Sequence, residues 1–226
     1  MIPITIVDDF LDEPNQLIEL ANRLEFTSDE NGRWPGTRSE QLHVVHELFY
    51  DNLVTRTMSL FQALPDLGRT DREYTSYGTS AVGLVDCTMA FQKIPAKMHR
   101  GWVHSDNGYA TGILYLSENT NDGTSIYTSK EGSLLDASHF ETKQKCNRQG
   151  YMTERDTQVQ MEFNDSFEEH LNVKGKFNRL LLMPNCYHGA NSFEGLKEDR
   201  LTLVMFFHRI AGEPMPLERM RAVRKI

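Results

Sequence analysis

The sequence predicts an α+β fold in which helices come first and brace an antiparallel sandwich or barrel. Three observations carry this. Two amphipathic helical patterns fill the first 65 residues, the texture turns β-branched, aromatic and glycine-punctuated after Pro65, and no repeat or low-complexity tract interrupts the chain. The 226 residues are 39% hydrophobic and 25% charged. That length suits one domain with enough interior to fold without disulfides or a structural metal. A single domain over 1–226 is expected, with supporting helices over 1–65 and a strand-rich body over 75–210.

The elements follow in order. Ile4 to Val7 reads as a short apolar strand, and Asp12-Glu13-Pro14 as an acidic, proline-marked helix start. Leu17, Ile18, Leu20, Ala21 and Leu24 then recur at helical spacing. Residues 28–39 are polar and turn-rich. Ser39 or Glu40 opens a second helical pattern through Leu42, Val45, Leu48, Phe49, Leu53, Met58, Phe61 and Leu64. Strands are predicted near 80–94, 111–117, 124–128, 159–163, 179–184 and 200–208. Between them, 129–178 reads as a long insertion with a short helix near Phe167 to Leu171, and the basic tail from Arg209 reads as a solvated helix end.

Composition excludes several classes. With 24 Lys plus Arg against 32 Asp plus Glu, the net charge is −8, and no basic face is available for a nucleic-acid backbone. No nucleic-acid partner is expected. The N-terminus has no basic region and reaches Asp8 and Asp9 before a signal-length apolar core can form, so no export signal is expected. The longest apolar runs are strand-sized, and no membrane association is expected. Cys87, Cys146 and Cys186 show no CxxC pairing, which points to neither a disulfide framework nor a thiolate zinc site and makes a cytoplasmic location the expectation.

Candidate chemistry begins with eight histidines. Glu40-x-x-His43 has di-iron spacing, but such centres need two such motifs on four long helices. His104-Ser105-Asp106 is sharper. In an extended segment residues i and i+2 point to one side, so an imidazole and a carboxylate converge there. His188 follows the apolar run Leu180 to Met183 and supplies a third ligand. Two histidines and one carboxylate on one face of a metal form the facial triad of non-haem iron(II) oxygenases, which leaves positions open for reactants. His139-x-Glu141 has suitable ligand types but lacks strand context and reads as surface. Arg200 leads the strand Arg200 to Phe207, with Thr202 on its face. A guanidinium buried there requires a carboxylate, for which Glu198 and Asp199 are the nearest acids in sequence.

Together, His104-x-Asp106, His188 and Arg200-x-Thr202 resemble the iron(II)- and 2-oxoglutarate-dependent dioxygenases, in the branch that looks like prolyl 4-hydroxylase. Gly112-Ile113-Leu114-Tyr115-Leu116, Asp122-Gly123-Thr124 and Asn178 to Leu182 are similar to that family's core strands, with Asp122 where its first glycine often stands. Val7-Asp8-Asp9-Phe10-Leu11 resembles the opening of bacterial and phage members. The resemblance implies a double-stranded β-helix, or jelly roll, with N-terminal supporting helices. It also implies Fe(2+) held by His104, Asp106 and His188, and 2-oxoglutarate gripped by Arg200 with Thr202 and Tyr115 assisting. The implied reaction consumes O2 and 2-oxoglutarate, releases succinate and CO2, and hydroxylates a C–H bond of a protein side chain, prolyl among them, or of a small molecule. Arg38, Arg100, Trp102 and Tyr109 are the candidate substrate contacts, with ordinary packing as the alternative for each. Two other readings stand beside this one: a cupin-like metalloenzyme without 2-oxoglutarate, and a non-catalytic jelly-roll binding or assembly module.

Overall fold

Antiparallel pairing dominates, as strands that alternate buried and polar positions require. The structure is a computed structural model and describes residues 4–60, 85–96, 100–118, 122–130, 137–191 and 198–210. The chain opens with β1 (Thr5–Val7), α1 (Pro14–Ala21), β2 (Phe26–Ser28), β3 (Thr37–Ser39), α2 (Leu42–Val45) and α3 (Glu47–Met58). Next come β4 (Val85–Ile94), β5 (Ala110–Tyr115) and β6 (Gly123–Ser129), then α4 (Ala137–Gln149) and α5 (Glu154–Asn164). β7 (Phe167–Lys174), β8 (Leu180–Pro184), β9 (Tyr187–Ala190) and β10 (Arg200–Ile210) follow. Seven strands form one sheet in the order β1-β8-β5-β10-β4-β3-β2, and three form a smaller one, β7-β6-β9.

Register assigns each residue of the large sheet to a face. Leu203 of β10 lies opposite Phe91 of β4 and Leu114 of β5, whereas Thr202 lies opposite Gln92 and Tyr115. The first set points outward with Cys87, Met89, Met205, Phe207, Leu180 and Leu182, and packs on Leu17, Ala21, Leu42, Leu53, Val54 and Met58 of the helices. Burying each such side chain contributes about 1.5–3 kcal/mol. This is the main core. Tyr50 of α3 meets the sheet with its one polar atom satisfied, its hydroxyl donating to the Cys87 carbonyl at 2.8 Å. The opposite face is covered by the small sheet, where Ile113, Tyr115, Leu181 and Met183 pack on Ile126 and Val173.

Several sequence expectations need correction. The second helix is two: α2 ends at Val45, and His46 leaves helical geometry and caps α3 by accepting from the Phe49 amide at 3.3 Å. Its predicted continuation through Phe61 and Leu64 lies outside the described residues, as do 80–84 and the tail beyond 210. The polar stretch 28–39 includes strand β3, paired between β4 and β2. Val159 to Phe163, expected as a strand, belongs to α5, because Thr153 and Asp156 form a reciprocal capping box that starts a helix. Phe167 to Leu171, expected as a helix, is strand β7, drawn into the ladder by β6. Its exposed charges suit an edge strand.

Candidate metal centre

The metal ligands come from two segments joined by backbone. His104 and His188 exchange both amide-to-carbonyl bonds, at 2.9 and 2.8 Å, in an isolated bridge beside β9. Directly opposed residues in such a pair carry side chains on one face, and the two imidazole centroids stand 4.5 Å apart. Close approach needs glycine. A Cβ on Gly101 would lie 2.8 Å from the Ala190 amide nitrogen. The insertion secures this segment: Asn164 of α5 accepts from the Val103 amide at 2.9 Å and donates to the Gly101 carbonyl at 3.1 Å. Gln160 donates to the Arg100 carbonyl at 2.7 Å.

Asp106 sits between the imidazoles. Its carboxylate oxygens lie 3.6 Å from His104 Nε2 and 3.3 Å from His188 Nε2, and all three donor atoms fall within 4.8 Å of one another. Thr111 orients the carboxylate by donating at 2.7 Å. Nδ1 of His104 donates to the Trp102 carbonyl at 2.9 Å, and Nδ1 of His188 to the Cys186 carbonyl at 3.1 Å. Carbonyls only accept, so each ring carries its proton on Nδ1 and turns the Nε2 lone pair toward Asp106. Burial pushes His104 well below the ordinary histidine range, with Lys143 and His188 adding to the effect, and keeps that ring neutral. Burial also opposes the charge on Asp106, yet its polar surroundings, the Thr111 hydroxyl among them, hold its carboxyl below the usual carboxylate range. Lone pairs and an anion facing one another at this spacing call for a cation. Cis donors of an octahedral site with bonds near 2.1 Å stand about 3 Å apart, and two nitrogens with one oxygen suit non-haem iron.

A cavity of about 110 Å³ adjoins these ligands, and Arg200, Thr124, Ile113, Val204, Arg38 and Lys143 are among its walls. Arg200 is 4% exposed, and the carboxylate that meets it is Asp122, whose Oδ2 lies 2.8 Å from Nε. Burial raises the Asp122 carboxyl, against the pull of Arg200. Tyr115 lies under the guanidinium at 5.2 Å, its hydroxyl 2.8 Å from that of Thr124. Thr202 Oγ1 is fully buried without a hydrogen-bond partner among the described residues. Of the candidate substrate contacts, Trp102, Arg100 and Arg38 line the cavity. Tyr109 does not: it is exposed, on the turn before β5. Lys143 escaped sequence reading because α4, which carries it, has no clear amphipathic pattern to mark its inward side. His139, on the same helix, packs its ring against Phe163 at 5.1 Å.

Comparison with solved structures identifies the architecture. HygX from Streptomyces hygroscopicus, solved with nickel and 2-oxoglutarate bound, is 12% identical, with a TM-score of 0.50 over 91% of this chain and 82% of its own. The non-haem α-ketoglutarate-dependent epimerase SnoN from nogalamycin biosynthesis is 13% identical, with a TM-score of 0.50 over 91% and 77%. The fold is the double-stranded β-helix of such oxygenases, and nothing in the likeness singles out the prolyl 4-hydroxylase-like branch. The chain itself belongs to the family described as "Family of unknown function (DUF6445)", whose model matches residues 1–207. No curated protein matches it in sequence. Among the described residues no helix is long and apolar enough to cross a membrane.

Proposed function

We propose that this protein is an iron(II)- and 2-oxoglutarate-dependent oxygenase that hydroxylates a C–H bond of a small molecule or a protein side chain, releasing succinate and CO2. The observation that carries the proposal is a single cavity holding both the converging His104, Asp106 and His188 donors and the buried Arg200 guanidinium. When bound, iron(II) with three protein donors offers open positions where 2-oxoglutarate and O2 meet, and supplies the oxidising chemistry.

The chain's own residues do the placing. His104 and His188 are held in the ligating tautomer by the Trp102 and Cys186 carbonyls, and Thr111 fixes the Asp106 carboxylate. Arg200 binds the far carboxylate of the cosubstrate, Thr202 donates the hydroxyl proton that has no acceptor among the described residues, and Tyr115 flanks both. The apolar walls Ile113 and Val204 exclude water from the space between.

The Asp122–Arg200 pair favours a second reading, a metalloenzyme of the same architecture in which Arg200 is purely structural. Anaerobic titration of iron-loaded protein with 2-oxoglutarate separates the two. The oxygenase reading requires a visible charge-transfer band that saturates with 2-oxoglutarate, and succinate release on admitting air. Protein that retains iron but gives neither signal is the metalloenzyme.

A further inference from the structure

We propose that Arg38 and Lys143 form a second anion site in this cavity, one that holds a carboxylate or phosphate group of the primary substrate. The inference rests on the oxygenase reading and names the class of substrate. Arg38, on β3, stacks between Trp34 and Phe206, with its guanidinium carbon 4.5 and 5.2 Å from the two ring centroids. Lys143 enters from α4. Two cations are thus brought to the cavity by different elements.

Neither has an ion-pair partner among the described residues. Both feel the charge of Asp106, and Arg38 also that of Asp29, but Asp106 accepts from Thr111 and faces the two imidazoles, while Asp29 is paired with Arg33. The surroundings also carry surplus donors. Arg38 Nε, Trp34 Nε1 and Trp102 Nε1 are buried without an acceptor among the described residues, and all three residues line the cavity. An indole or guanidinium nitrogen of this kind only donates. Buried donors lacking acceptors beside two cations require a ligand rich in acceptors, which an oxyanion is. Burial lowers the Lys143 ammonium to about 8 and the Arg38 guanidinium to about 10, so both keep their charge at neutral pH.

This site is separate from the Arg200 end. The Arg38 backbone stands opposite Gln92, at the register of Thr202, but its guanidinium lies over Phe206, the sixth position after Arg200 on β10. A short dicarboxylate held by Arg200 and directed at the triad leaves the Arg38 side for another molecule.

Calorimetry on nickel-loaded protein tests this, with 2-oxoglutarate titrated first and then inorganic phosphate or acetate as probe. Saturable binding of one probe is expected, weakened at least tenfold by Arg38→Met and by Lys143→Met. Affinity for 2-oxoglutarate should stay within twofold in both variants, while Arg200→Met shows the reverse pattern. Arg38→Lys, which retains charge, should retain most probe binding and so guards against misfolding as the cause. Preference for phosphate names a phosphate ester, and preference for acetate a carboxylate. Absence of probe binding to the parent protein, or binding indifferent to both variants, overturns the proposal. So does a tenfold loss of 2-oxoglutarate affinity in Arg38→Met or Lys143→Met, which would give these residues to the cosubstrate. If the parent binds no 2-oxoglutarate while probe binding still depends on Arg38 and Lys143, the oxygenase reading fails and the anion site stands.

Discussion

On β10, Leu203 and Met205 point into the helices and are wholly buried among apolar neighbours, whereas Thr202 and Arg200 point the other way and are buried among polar ones. The strand is the same, and only the parity of the residue differs. Outward positions fill space and leave no polar atom to satisfy. Inward positions keep a hydroxyl without a partner among the described residues and an ion pair whose carboxylate burial has made harder to charge. The contrast teaches that one sheet separates stability from chemistry by alternation: what the outward face contributes to folding lets the inward face keep groups that folding alone would not favour.

The sharpest challenge to that division is Asp106→Ala. Metal content measured on purified protein should fall from near stoichiometric to under about a tenth, and succinate release should vanish, while the melting temperature of the metal-free protein holds or rises. A melting temperature that drops as for a core mutant would break the comparison. Arg200→Met tests an inward residue of the site that is also structural. It strands a buried carboxylate at Asp122, and urea denaturation should show a loss of about 3–5 kcal/mol, most of it recovered by adding Asp122→Asn. On the outward face, Leu203→Ala should cost about 2–5 kcal/mol yet leave 2-oxoglutarate affinity within twofold. Thr202→Val should do the opposite. Removing a buried hydroxyl that has no partner among the described residues is expected to raise stability by about 1 kcal/mol while weakening 2-oxoglutarate binding.

The smallest effect is a pH dependence. Asp122 has its carboxyl raised above the ordinary 3.8 by burial, so the native state holds its proton longer than the unfolded chain does. Its stabilising contribution is therefore fullest below pH 3.8 and declines as pH rises through the raised value. Denaturation of Asp122→Asn followed across acidic pH should lack that decline.

Much of this division is legible in sequence. Alternation in Arg200 to Phe207 and in Thr111 to Leu116 gives the strands and their faces, and His104-x-Asp106 needs only extended backbone to converge. The partner of Arg200 was not legible, because Asp122 lies about eighty positions away, beside a strand of the other sheet, and meets it only where the small sheet stacks on the large one. The insertion misled for a different reason. Val159, Met161 and Phe163 alternate as a strand would, and the Thr153 and Asp156 capping box, a local signal that decides for helix, sits before the run rather than within it. The helical hairpin then does what no motif announces, holding Gly101 and Val103 beside the first ligand through Asn164.

One consequence follows from the paired amides of His104 and His188. Since peptide groups, rather than an ion, set the spacing of the two rings, the centre is assembled before anything occupies it. Loading then carries no cost of ordering a loose chain, unlike small zinc modules that fold only as they capture their ion. Chelators should therefore strip this protein without unfolding it, and readdition should restore the centre at the pace of diffusion and ligand exchange instead of refolding.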